Sequence, residues 1–294
     1  MLFINERLTL MTLRARGFVP RWVATSVGRM RVWVAPGKGT LPSLVLLHGL
    51  ASAAVHLEPM FDQLRAHTRA VIVPDLPGHG ESDVPADGLT PASLQQGLLE
   101  TLDSLAIRNA TVFGNSLGGA AAVRYALARP EQVGALILVS PAGALMSAEN
   151  FVSFTESLRN ENHEKARGFV DRVFVKTPWP RALMAWGTVQ KFAASPVQSL
   201  LTTSQPADQI TASQLRALTV PTLLVWPQGD KVFPAGCKEF FATHLPNCEL
   251  AEPEGLGHSP YLENARYMSD AVLRWMSAQF AARAARESEA QPTL

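Results

Sequence analysis

Cysteine is almost missing from this 294-residue chain: Cys237 and Cys248 are the only two. The segment between them, Lys238 to Leu245, reads as a helix rising about 1.5 Å per residue. That puts the sulfurs at opposite ends, beyond the roughly 7 Å Cα separation a disulfide tolerates. Both read as free thiols, which favours a reducing compartment and a cytoplasmic location. An excess of one charge is missing too. Lys and Arg number 26 against 25 Asp and Glu, so nothing draws the chain to nucleic acid or acidic ligands. No apolar run approaches the roughly 20 residues of a membrane-spanning helix. Met1 to Ile4 is apolar, but Glu6 and Arg7 interrupt it and Arg14, Arg16 and Arg21 follow. These charges lie on the wrong side of the run for a secretory signal. Internal repeats and low-complexity tracts are absent. No Cys/His cluster has metal-ligand spacing, and the glycine-rich stretch at 114–119 lacks the lysine of a phosphate-binding loop. No metal or organic cofactor is implied.

What is present is globular: 47% of residues are apolar and 17% charged. The length suits one large core carrying an inserted subdomain. Short apolar runs bounded by Gly, Pro or polar residues read as buried parallel strands: Leu44 to Leu47, Val71 to Val73, Thr111 to Phe113, Leu136 to Val139 and Leu223 to Trp226. Helix-length segments separate most of them. Ahead of them, Trp22 to Thr25 and Met30 to Val34 alternate as an antiparallel edge pair would. The pattern predicts an α/β fold, a mostly parallel sheet flanked by helices. Between Gly143 and Gln214 the rhythm turns helical, with prolines at 178, 180 and 196. This predicts a helical cap over 143–216, inserted between core segments 1–142 (with an N-terminal segment 1–21) and 217–284, and a flexible tail at 285–294. The seven cap aromatics are Phe151, Phe154, Phe169, Phe174, Trp179, Trp186 and Phe192; most are assigned to packing the cap on the core. Met1, Ile4, Leu8 and Met11 share one helical face, which suits either packing on the protein itself or a weak contact with a membrane surface or partner.

Gly114-Asn115-Ser116-Leu117-Gly118-Gly119 follows one predicted strand and opens a helix from Leu117 to Ala128. The pattern Gly-x-Ser-x-Gly in that setting is a nucleophile elbow. A sharp turn lifts the Ser116 hydroxyl clear of the sheet, and Gly114 and Gly118 let strand and helix nearly touch. A serine hydroxyl needs a base. His258, in Gly255-Leu256-Gly257-His258-Ser259-Pro260, sits on a loop between the predicted strand Glu249 to Ala251 and the C-terminal helix, placed to reach the serine. His48 and His79 more naturally bond their own loops; His67, His163 and His244 fall on polar helix faces. The base needs an acceptor on its far nitrogen. Asp230 follows the strand Leu223 to Trp226, and no acid stands after Val139, where Ser140 comes instead. Asp75 and Asp83 read as loop-holding residues. Leu44 to Leu47 runs into His48-Gly49-Leu50, so the backbone N–H groups of Leu50 and Leu117 are the expected oxyanion donors.

These segments together resemble the α/β-hydrolase superfamily, in its capped group of serine esterases and lipases, over about Val32 to Trp275. Pro74-Asp75-Leu76-Pro77-Gly78-His79-Gly80-Glu81-Ser82 is similar to that group's loop after the fourth strand, and Ser116, Asp230 and His258 come in its chain order. Serine at 116 speaks against the dehalogenase and epoxide-hydrolase branches, which carry aspartate. The elbow is also similar to that of carbon–carbon bond hydrolases of aromatic ring cleavage. Leu50-Ala51-Ser52-Ala53 departs from their Ser-Gly-Pro-Gly stretch, and Ser259 from their frequent tryptophan.

The resemblance and the residues imply hydrolysis of a carboxylic ester of an apolar acyl group through an acyl-enzyme, with a small-molecule ester as partner and no nucleic acid. Three alternatives stay open: a carbon–carbon hydrolase of a ring-cleavage diketone, a slow-turnover ligand receptor of the same fold, and a binding module that has lost activity.

Overall fold

The structure, a computed structural model, describes residues 2–159, 162–176 and 181–289, with side chains left out at 2–7, 181–183 and 286–289. Its centre is an eight-stranded sheet. The strands are β1 (Val19–Thr25), β2 (Gly28–Pro36), β3 (Leu44–Leu47), β4 (Ala70–Pro74), β5 (Ala110–Asn115), β6 (Val133–Val139), β7 (Thr222–Val225) and β8 (Cys248–Ala251). They run in the order β1-β2-β4-β3-β5-β6-β7-β8. β2 pairs antiparallel with β1 and with β4, and every later pairing is parallel. The expected antiparallel pair therefore exists, but only β1 is an edge.

Alternation along the strands explains why both faces are covered. Val45 and Leu47 of β3, Leu136 and Leu138 of β6 and Leu224 of β7 join one apolar cluster. Their neighbours Leu44, Leu46, Ile137, Val139, Leu223 and Val225 join the cluster on the opposite face. Helices supply the other half of each layer. In chain order they are α1 (Leu2–Ala15), α2 (Phe61–His67), α3 (Pro91–Ser104), α4 (Leu117–Ala128), α5 (Ala148–Ser157), α6 (His163–Val173), α7 (Arg181–Phe192), α8 (Ser195–Thr203), α9 (Ala212–Arg216), α10 (Cys237–His244), α11 (Pro260–Glu263) and α12 (Ala265–Glu289). α3 carries a local start signal: the Thr90 hydroxyl accepts from the Ser93 N–H (3.0 Å), with proline at the first helical position. α5 to α9 all lie between β6 and β7. Both cysteines are free, separated by α10.

α1 packs by a face other than the expected one. Leu13 is fully buried and Leu10 joins the same cluster, while Leu8 and Met11 are 55% and 70% exposed. The helix carries two apolar stripes, and contact with the core selects the one holding Leu13. Met1 and the side chain of Ile4 lie outside the described residues, as do Trp179, Pro178 and Pro180. Among the described residues no helix is long and apolar enough to cross a membrane.

Leu46 is completely buried in the middle of this sheet. Leu46→Ala should lower unfolding free energy by about 2–5 kcal/mol through lost transfer energy and a residual cavity. The signature is a lower urea midpoint at unchanged slope.

Candidate active site

β5, fifth of the eight strands in chain order and central in the sheet, delivers Ser116 at its C-terminal end. The turn into α4 holds Ser116 at φ 55°, ψ −118°, a conformation a non-glycine residue adopts only under constraint. Neighbouring backbone supplies that constraint. A Cβ on Gly114 would collide with the Gly118 carbonyl, and one on Gly118 with the carbonyls of Leu47 and His48. The Ser116 N–H donates to Val139 O (3.0 Å), locking the turn to β6.

The structure brings the side chains of Asp230 and His258 together. His258 Nδ1–H donates to Asp230 Oδ2 at 2.9 Å, with the two side chains only 6% and 0% exposed. Since a carboxylate only accepts, this contact fixes the tautomer when the ring is neutral. The other Asp230 oxygen accepts from the Val232 N–H (2.8 Å). Burial acts to raise the Asp230 pKa, but the charge and hydrogen bond of His258, the nearby Ser140 hydroxyl and the Val232 N–H outweigh it and hold the pKa below its ordinary value.

Ser116, His258, Gly49, Leu50 and Leu117 line a single cavity of ≈ 290 Å³. Among the described residues the N–H groups of Leu50 and Leu117 have no partner. The Leu50 loop is anchored from behind. His48 Nδ1–H donates to Gly49 O (2.8 Å), and its Nε2 accepts from the Leu76 N–H (3.0 Å). Burial pushes the His48 pKa well below the usual imidazole value and that of His79 to about 4, so both rings are neutral. His79 bonds its own loop through Pro77 O (2.9 Å). Asp75 accepts from the Ala54 N–H (2.7 Å) and the Glu81 N–H (3.2 Å), and Asp83 holds Arg29.

The cap aromatics correct an expectation. Phe151, Phe154, Phe169, Phe174 and Phe192 all line the cavity, rather than serving mainly to pack the cap on the core. They pack as well, but against each other and the cavity wall: Phe169 on Phe192 (5.0 Å) and Phe154 on Phe233 (5.2 Å). Trp186 is exposed. A helical insert over the C-terminal strand ends has its apolar faces turned towards the cavity, so ring contact and lining coincide.

Three groups escaped the sequence reading. His56, on the turn after β3, lies with Nε2 3.3 Å from Lys191 Nζ of α7, and Lys191 lines the cavity. The backbone carbonyl of Val173, at the end of α6, accepts from the His258 N–H (2.8 Å); a carbonyl leaves no trace in composition. Asn115 occupies a free position of the elbow pattern, yet every atom of its amide is used. Its Nδ2 donates to Val139 O (3.1 Å) and His258 O (3.0 Å), and its Oδ1 accepts from Ser259 Oγ (3.1 Å) and the Tyr261 hydroxyl (3.2 Å).

A serine at a strained turn, a buried imidazole–carboxylate pair and two unpartnered N–H groups on one apolar cavity can move a proton and receive a developing negative charge. The chain matches the alpha/beta hydrolase fold over residues 42–265. It is 29% identical over 239 residues to a pimeloyl-[acyl-carrier protein] methyl ester esterase of Nitrosomonas europaea, covering 76% of this chain and 91% of the relative. It is 28% identical over 256 residues to a 2-hydroxymuconate semialdehyde hydrolase of Pseudomonas putida, covering 82% and 88%. In structure it is similar to carboxylesterase CesB of Bacillus subtilis, with TM-score 0.75 at 21% identity over 92% of this chain and 95% of the other.

Asn115→Leu keeps the volume and removes all four bonds. It strips the His258 carbonyl and two hydroxyls of a partner each, so stability should fall by at least about 2 kcal/mol. Urea unfolding with unchanged slope checks this.

Proposed function

The chain belongs to the alpha/beta hydrolase fold family, and we propose that within it the protein is a serine hydrolase that cleaves carboxylic esters of apolar acyl groups. Ser116 Oγ attacks the ester carbonyl while His258 Nε2 takes its proton. The imidazolium is steadied by Asp230, and the tetrahedral oxyanion lies against the N–H groups of Leu50 and Leu117. His258 then protonates the departing alcohol, leaving an acyl-Ser116 ester. Water, deprotonated by the same histidine, attacks this ester; its collapse returns the proton to Ser116 and releases the acid.

The observation that carries this reading is the coincidence on one cavity of a serine held at φ 55° with a buried His258–Asp230 pair. A structural role alone gives no reason to hold a serine in that conformation on a cavity it shares with an imidazole. The pimeloyl relative, by its name a methyl ester esterase, agrees with ester chemistry. The six phenylalanines on the wall, five from the cap and Phe233, support an apolar acyl group.

Ser116→Ala should reduce hydrolysis of p-nitrophenyl butyrate by about 10³-fold or more while the unfolding midpoint stays near the parent's. If the alanine variant retains most of the activity, the nucleophile is elsewhere; if the parent itself is inert, the receptor reading takes over. Across acetyl, butyryl, octanoyl and palmitoyl esters, kcat/KM should peak at medium length, each buried methylene contributing up to about 0.8 kcal/mol. A steady decline from acetyl upward would mean a small or polar pocket.

A further inference from the structure

The cavity is apolar where it meets Ser116 but does not stay so. Ser116 caps α4, and Ala120 and Arg124 follow at four-residue steps on one helix face. All three line the cavity. Arg124 lies eight residues from Ser116, about 12 Å along the helix axis. Ala120 lies between the two on the helix, and the apolar Leu94 and Leu200 line the same cavity.

At this far end the other polar side chains are engaged. Ser204 Oγ donates to Leu200 O (2.7 Å). The Gln209 amide is bonded to both backbone groups of Met146 and to Pro206 O. Asp208 turns one carboxylate oxygen to the Gln205 N–H (2.7 Å). Arg124 differs. Of its five N–H donors, one is bonded to the Asp208 carbonyl, and among the described residues no carboxylate comes within ion-pair distance. Burial lowers its pKa by more than the attraction of the Asp208 carboxylate raises it, the mark of a cation desolvated without full compensation. A hydrocarbon chain ending here would leave those donors facing methyl groups; a carboxylate would satisfy two of them side by side. The other cation on the wall, Lys191, is on the cap beside His56.

We propose that the end of the cavity at Arg124 is a subsite for a terminal carboxylate, so that the preferred substrate is the half-ester of a dicarboxylic acid. The ester carbonyl lies at Ser116 and the free carboxylate on the Arg124 guanidinium. At about 1.2 Å of chain per bond, the span suits an acyl chain of roughly six to ten carbons. The inference rests on the ester-hydrolase reading above and narrows it from apolar acyl groups to apolar chains with an anionic end.

The test separates binding from turnover. Monomethyl suberate is titrated calorimetrically into the Ser116→Ala protein, beside methyl octanoate as the uncharged match. Introducing Arg124→Met into that background should weaken the half-ester by roughly ten- to hundred-fold, the worth of a hydrogen-bonded charge, and change methyl octanoate by a few-fold at most. Arg124→Lys should fall between, which guards against a folding artefact, and Lys191→Met should leave the ratio of the two ligands unchanged. Equal losses for both ligands on Arg124→Met, a shift produced by Lys191→Met instead, or no binding of the half-ester would overturn the subsite. In the Ser116 enzyme, kcat/KM for the half-ester against the octanoate should show the same dependence on Arg124. An enzyme that binds the half-ester through Arg124 but hydrolyses neither ester would overturn the hydrolase reading and leave the subsite standing.

Discussion

Between β5 and α4 the backbone passes so close to itself and to β3 that positions 114 and 118 have no room for a side chain. Everything chemical in the site depends on that near-contact. It forces the chain to reverse within one residue, puts Ser116 at positive φ, and leaves Leu117, whose N–H has no partner among the described residues, on the cavity wall. The strain is sustained from several sides. Ser116 O accepts from the N–H groups of Gly119, Ala120 and Ala142, and its own N–H is held by β6. A conformation costing on the order of 1–3 kcal/mol is thus over-determined by bonds that a relaxed turn would lose.

The histidine loop is held between two parts of the molecule that are far apart in sequence. From the core, Asn115 grips the His258 carbonyl and the two hydroxyls that follow. From the cap, Val173 O takes the His258 N–H and Arg172 O takes the Lys231 N–H (3.3 Å), while Glu263 at the end of α11 accepts from the N–H groups of both Gly257 and Val175. Asp230 and His258 therefore each sit on a loop tied to the last turn of α6. The cap is not an independent lid over a finished centre, because removing α6 would take away a backbone partner of His258 itself.

What could be read from the chain follows from how local each feature is. The elbow was legible because its glycines, serine and flanking strand and helix are contiguous. Asp230 and His258 were legible because strand ends with few competing acids narrow the choice. The sheet's strands showed as short apolar runs, and their two-sided burial removed any polar alternation. The use of Asn115 was not legible: three of its four partners lie 143 to 146 residues away, and an asparagine in a motif's free position carries no sign of them. The lining role of the cap phenylalanines was misjudged for a similar reason. Period marks which residues share a helix face, while the direction of that face is set by how α5 to α8 fold over the sheet. On α1 two apolar stripes competed, and only contact with the core could choose between them.

His48 and Asp75 show how burial shapes the ground behind the Leu50 loop. Burial disfavours charge on both, but the outcomes differ. His48 stays neutral and uses one nitrogen to donate and the other to accept, bridging Gly49 to Leu76. Asp75 has its pKa raised to about 6, burial outweighing the N–H groups of Ala54 and Glu81. Because this folded value lies above the ordinary carboxylate value, ionising Asp75 costs stability: the cost is absent below about pH 4, grows through the interval, and is complete above about pH 6. Near neutrality the loop is consequently anchored by an ionised acceptor that weakens the fold as a whole. A neutral amide could not replace it without loss, since both Asp75 oxygens accept from N–H groups and an amide offers only one oxygen. The anchoring of the turn after β3 therefore takes precedence over the stability a neutral side chain would retain, and that turn is the one that carries the Leu50 N–H to the cavity.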